Sequence, residues 1–162
     1  MTGTHSALVV VVSTRAAAGD HVDRTGPVLV DWLRGRGLAV PDAEVVADAG
    51  IAGYLDTVLA EPVRPDVVLT TGGTGVSPTD QTVAALRPHL THELPGLVDA
   101  VRRRGVEAGV ASALLSGGVA GVAGRTFLMT LPGSRGGVAD GIAVLDGVLD
   151  HLLDQLDGGD HD

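Results

Sequence analysis

A chain of 162 residues is long enough for one domain with its own hydrophobic core. Its formal charge is -9, all eleven basic residues are arginine and lysine is absent, which excludes phosphate-loop and Schiff-base lysines and disfavours nucleic acid as a partner. No cysteine is present, so disulfides, thiolate nucleophiles and cysteine-based zinc sites are excluded, and no apolar run reaches the roughly 20 residues of a membrane span.

With aromatics at only 2%, the core must be assembled from Val, Leu, Ile and Ala in close layers. No charged-then-apolar leader opens the chain, which reads as soluble and cytoplasmic with no membrane partner. Ala7 to Val12 is a fully apolar strand ending at Ser13-Thr14-Arg15. A helix follows, with Pro27 in its first turn, Val28, Leu29, Trp32 and Leu33 as its apolar stripe and Gly37 as its stop. Glu44 to Ala47 is the next strand, ending at Asp48, and Ile51, Leu55, Val58 and Leu59 keep helical spacing until Pro62. Strand Val67 to Thr71 leads into the glycine-rich TTGGTGVSPTDQT. Then come a short helix from Thr82, a helix from Leu97 to Arg104, a small-residue helix from Ala108 to Leu115, a strand Thr126 to Leu131 and a closing helix to Leu156. Asp157 to Asp162 reads as a disordered acidic tail.

Strands that alternate with helices and are apolar throughout predict a single-domain three-layer α/β/α fold, a doubly wound and mostly parallel sheet. Ligands of such sheets bind outside the carboxyl ends of the strands, which selects the loops Ser13 to Asp23, Asp48 to Gly50, Thr71 to Asp80 and Leu131 to Gly137. Gly, Ser, Thr and Asp in all four leave backbone N–H groups and hydroxyls available to anionic oxygens. The glycine loop lacks a Walker lysine, and a dinucleotide fingerprint starting at Gly73 would need glycine where Pro78 stands. On residues alone it is equally a tight strand-to-helix turn, with Asp80 as N-cap of the helix near Thr82.

TTGGTG (Thr70 to Gly75), followed by Asp80-x-Thr82 and later by Leu131-Pro132-Gly133-Ser134, resembles the MoaB/Mog family of molybdenum cofactor biosynthesis. The resemblance extends over almost the whole chain: Ser13 in the first loop, Asp23 and Gly26 at a helix entry, Asp48 after the second strand, Glu93-x-Pro95-Gly96 with Arg102, and Leu115-Ser116. Two positions depart from the pattern, Gly117 where the family often has Arg and Arg135 where it often has Pro. The resemblance implies molybdopterin adenylyltransfer from ATP, with pyrophosphate released and the adenylylated pterin passed to an insertase partner. It also implies a homotrimer or a multiple of trimers.

The phosphate nucleophile is already ionised near neutral pH, so this chemistry asks for charge neutralisation and alignment more than for a strong base. Mg²⁺ suits it, and Asp48 and Asp80, expected on neighbouring strand ends, are the candidate catalytic residues and metal ligands. Ser13, Thr71, Gly72, Gly73, Thr74, Gly75, Thr82, Pro132, Gly133 and Ser134 are candidate substrate-binding residues, with Arg102 or Arg135 as charge compensation. Glu93 and Ser116 are carried over by motif position, and a loop carboxylate and a helix-end hydroxyl are their plain alternatives. The six histidines show no metal-ligand spacing. Two other readings stand beside the transferase: a binding module that holds molybdopterin for a downstream insertase without transfer, and a nucleotide-binding oxidoreductase, which the missing third glycine disfavours.

Overall fold

The computed structural model describes residues 3–159. Six strands form one sheet: β1 Ala7–Val12, β2 Glu44–Val46, β3 Val67–Thr71, β4 His92–Glu93, β5 Ala120–Ala123 and β6 Thr126–Leu131, in the order β2-β1-β3-β6-β5-β4. β1 pairs in parallel with β2 and β3, and β3 with β6, whereas β5 runs antiparallel to β6 and β4 antiparallel to β5. The helices are α1 Thr14–Ala17, α2 Gly26–Gly35, α3 Ile51–Ala60, α4 Thr82–Leu86, α5 Pro95–Glu107, α6 Arg135–Asp146 and α7 Leu149–Leu156.

The central strands β1, β3 and β6 are buried on both faces, and successive side chains feed two cores. Val9, Leu69, Phe127 and Met129 pack with α2, α5, α6 and α7 on one face. Val10, Val68 and Leu128 pack with α3 and α4 on the other. This is the expected three-layer, mostly parallel arrangement, with the chain reversing its winding at β1. The carboxyl ends of β1, β2, β3 and β6 therefore lie along one edge, which brings the four selected loops to the same side of the molecule.

Three expectations change. The small-residue helix from Ala108 to Leu115 does not form: α5 runs on to Glu107 and stops at Gly109, whose φ of +88° closes a turn in which Gly109 N donates to Val106 O and Val110 N to Gly105 O. A single 3₁₀ turn, Ala111–Leu115, follows. The closing helix is two helices, broken at Gly147. The hairpin of β5 and β6 supplies a strand that the sequence reading passed over, and β4 adds a two-residue edge.

Asp157, the first residue of the expected tail, instead accepts a hydrogen bond from His5 at 2.9 Å and pairs with Arg125 at 3.1 Å. Residues 160–162 lie outside the described residues. At the edge of the sheet away from the four loops, Trp32 Nε1 donates to Asp146 Oδ1 at 2.8 Å. Arg36 stacks over the same indole at 5.8 Å from its centre while pairing with Asp146 and Asp150, joining α2 to α6 and α7.

Candidate functional site

The glycine loop is held by its own backbone and by two threonines. Gly72 and Gly73 have φ of +98° and +68°, the region where a side chain is strained. A Cβ on Gly72 would meet the carbonyl of Val12, and one on Gly73 would meet the hydroxyl of Thr82. Thr82 donates to Gly72 O at 2.9 Å, and its own N–H reaches Gly73 O at 3.2 Å. Thr71 donates to Pro132 O at 2.8 Å, so the LPGS loop is clasped against the glycines. The hydroxyl hydrogens of Thr71 and Thr82, expected to face a ligand, are thus spent on carbonyls and act by shaping the loop. Ser13 and Ser134 accept N–H bonds as N-caps of α1 and α6, from Ala16 and Gly137, which leaves each hydroxyl hydrogen available.

The two aspartates flank the loop from different directions. β2 and β3 are not neighbours, because β1 lies between them, so Asp48 and Asp80 do not project from adjacent strand ends as expected. Asp48 instead leans across β1: its Oδ1 would lie 3.1 Å from a Cβ on Gly73, and its Oδ2 accepts from the Thr14 hydroxyl at 2.8 Å. Asp80 does not cap α4, whose N-cap is Gln81 without a side-chain bond. Its Oδ2 accepts the Ser77 N–H at 3.0 Å and would lie 2.7 Å from a Cβ on Gly75. Two half-buried carboxylates therefore touch the loop at Gly73 and Gly75. Among the described residues no group of three or more His, Cys, Asp or Glu could enclose a metal. Asp48 and Asp80 are the donor set that Mg²⁺ would have here, a cation held by one or two carboxylates together with substrate phosphates.

Two cavities flank this loop. The larger, about 700 Å³, is mainly apolar, with Val76, Val98 and Val101 as walls and Thr74, Ser116 and Ser134 among its polar groups. The smaller, about 390 Å³, is polar and includes Ser13, Asp23, Arg24, Thr71, Gly72 and Arg135. Gly133 borders both, and a Cβ there would lie 3.1 Å from Gly72 Cα, so the ridge between the cavities is bare backbone.

Ser116 borders the larger cavity: its hydroxyl meets that of Thr74 at 3.0 Å, and Arg102 Nε donates to its carbonyl at 2.7 Å. Arg102 also pairs with Asp99 at 3.0 Å, so its charge is partly committed. Glu93 lines neither of these cavities; it pairs with Arg87 at 3.2 Å and borders a smaller one of about 230 Å³ that shares Val98, Arg102 and Gly118 with the larger. Sequence reasoning missed Thr14, the partner of Asp48, and the apolar wall of Val98 and Val101. The i, i+3 spacing of those valines on α5 was the available signal, whereas nothing in sequence links Thr14 to a residue on another strand.

The family described as a probable molybdopterin binding domain matches residues 8–151 of this chain. The chain belongs to that family. Among solved structures of similar proteins, a MogA is 48% identical with a TM-score of 0.87, covering 94% of this chain and 99% of that one. The Mog protein of Mycobacterium ulcerans is 43% identical with a TM-score of 0.86 at the same coverage. The molybdenum cofactor biosynthesis bifunctional protein of Synechococcus elongatus is 35% identical over 157 residues, 96% of this chain but 48% of that protein. The chain thus spans about half the length of the first curated relatives it matches. Protein B of molybdenum cofactor biosynthesis from Bacillus subtilis, 30% identical over 79% of this chain and 76% of its own length, is closer in size.

Proposed function

We propose that the protein acts in molybdenum cofactor biosynthesis as a molybdopterin adenylyltransferase, joining AMP from ATP to the terminal phosphate of molybdopterin. One observation carries the reading: an apolar cavity of about 700 Å³, large enough for a pterin, and a polar cavity suited to phosphates meet at Gly133 against Gly72, and in the same glycine loop Asp48 and Asp80 approach Gly73 and Gly75. The names of the relatives support the pathway, and the intact glycine loop supports the chemistry.

In this reading the apolar walls take the pterin, and its terminal phosphate lies over the glycine ridge. An oxygen of that phosphate attacks the α-phosphorus of ATP, and the bond to the α,β-bridging oxygen breaks, its electron pair leaving with pyrophosphate. Gly72, Gly73 and Gly133 allow the phosphates to approach the backbone, and Ser13 and Ser134 offer hydroxyl hydrogens. Asp48 and Asp80 would hold Mg²⁺, which when bound supplies charge neutralisation to the reacting phosphates. A trimeric assembly and hand-over to an insertase belong to the same proposal, and the double length of the bifunctional relatives is what motivates the second.

A pterin-holding role without transfer is the second reading. It is favoured by the bond that already ties Asp48 Oδ2 to Thr14. Purified protein incubated with molybdopterin, ATP and Mg²⁺ separates the two: mass spectrometry should find the adenylylated pterin. Tight pterin binding with no product under any divalent metal would leave only the holding role.

A further inference from the structure

Of the eleven arginines, Arg34, Arg36, Arg87, Arg102, Arg104 and Arg125 are ion-paired. Among the described residues Arg15, Arg24, Arg64, Arg103 and Arg135 form no ion pair, and two of these five, Arg24 and Arg135, border the same polar cavity beside the glycine ridge. They come from different elements, Arg24 from the connection between α1 and α2 and Arg135 from the first turn of α6. The one carboxylate in that lining, Asp23, pairs with neither arginine: its Oδ1 accepts the N–H groups of Thr25 and Gly26 at 2.9 and 3.1 Å and the Thr25 hydroxyl at 3.1 Å, and its Oδ2 lies against Gly26. A chain with nine excess negative charges therefore keeps two uncommitted guanidiniums around one cavity of about 390 Å³.

We propose that Arg24 and Arg135 form a two-armed clamp for a diphosphate, which under the adenylyltransferase reading is the β,γ portion of ATP and then the departing pyrophosphate. The inference rests on that reading for its place in the reaction and not for the binding itself. Each guanidinium presents a planar fork of donors that matches the oxygens of one phosphate group, so two forks bordering one cavity suit two linked phosphates. The position is right for in-line displacement, because the nucleophile and the leaving group must lie on opposite sides of the α-phosphorus. With the pterin entering from the apolar cavity, the opposite side of the Gly133 ridge is the polar one. The Ser13 hydroxyl in the same lining is a further donor. Once the bond to the bridging oxygen breaks, the departing charge gathers where the two guanidiniums already are, and no proton has to be delivered.

The test needs neither pterin nor turnover. Inorganic pyrophosphate is titrated calorimetrically into wild-type protein and into Arg24→Gln, Arg135→Gln, Arg135→Lys and Arg103→Gln, the last being an exposed, unpaired arginine on α5 that makes the same charge change elsewhere. Each clamp glutamine should weaken binding about tenfold or more, Arg135→Lys should fall between it and wild type, and Arg103→Gln should stay within about twofold. Unchanged melting temperatures for these surface variants are part of the expected result. Equal weakening by Arg103→Gln, wild-type affinity in both clamp variants, or no binding to wild type would each overturn the clamp. With ATP and molybdopterin present, the clamp variants should raise the KM for ATP while leaving that for the pterin unchanged. Pyrophosphate binding that follows this pattern with no adenylylated product removes the transferase reading alone. Product formed with equal affinity in all variants removes the clamp alone.

Discussion

Replacing Gly72 by Ala tests whether the glycine ridge is forced by backbone geometry. The residue has φ +98°, beyond the left-handed helical well, where an L side chain costs about 1–2 kcal/mol. The new Cβ would also meet the carbonyl of Val12, on a strand paired on both sides and unable to retreat. Overpacking of that kind adds about 1–3 kcal/mol, and the stiffer unfolded chain returns about 0.4–1 kcal/mol. The terms sum to a loss of about 1–5 kcal/mol, about 3 kcal/mol at their centre. At roughly 2–4 °C per kcal/mol for a domain of this size, the central value lowers the melting temperature by about 6–12 °C. Gly53→Ala is the control: it lies within α3 with no atom near its missing Cβ, and should raise stability by about 0.5–1 kcal/mol. Thermal melts of the two variants beside wild type, followed by circular dichroism, give the comparison. A Gly72→Ala variant melting within about 2 °C of wild type would refute the claim that this loop can be built only around glycine.

Asp80→Asn should keep the fold and pterin binding but lower transfer about 100-fold or more, measured by product formation at saturating ATP. Full activity would remove Asp80 from the chemistry. Asp23→Ala should cost about 1–2 kcal/mol in urea unfolding, because its carboxylate holds the first N–H groups of α2 while Thr25 makes no side-chain cap; Asp23→Asn should cost less. The carboxyl of Asp157 is held below its ordinary range by the His5 hydrogen bond first, with Arg125 assisting. A depressed folded value means that its stabilising effect is present above the ordinary carboxylate range and is lost as pH falls through the lowered value. Melts at pH 5 and pH 3 should therefore differ less in Asp157→Asn than in wild type.

The parallel core was legible because β1, β3 and β6 are unbroken apolar runs, and burial on both faces leaves no other use for them. Their order was not, since no periodicity within a strand names its neighbour, and that hid the insertion of β1 between the strands leading to Asp48 and Asp80. β5 was missed because glycine and alanine carry little strand signal. Gly121 is small for a reason outside its own segment, since a Cβ there would meet the His92 carbonyl on β4. The Gly124-Arg125 turn between β5 and β6, with Gly124 at φ +64°, was the readable hairpin cue. The run Ala108 to Leu115 shows the opposite failure: locally helical composition yielded to one glycine in a helix-ending conformation. At the candidate site, the glycines, both aspartates, Ser116 and the LPGS loop were singled out by motif, and the fold brings them to one side of the sheet. The roles of Thr71 and Thr82 required coordinates, because a hydroxyl beside a phosphate loop and a hydroxyl bracing that loop look the same in sequence.

Trp32 is the chain's sole indole, and its neighbours are Arg36 and Asp146. Arg36 borders a small cavity with His5, ahead of β1, so the fluorophore sits at the end of the sheet away from the glycine ridge. Intrinsic emission is consequently a gauge of how α2 is moored to α6 and α7, and it has no direct view of a pterin or a nucleotide. A change in that emission on adding substrate would therefore signal a disturbance relayed through the layers or a change in assembly. Direct occupancy is better read from the substrate's own absorbance.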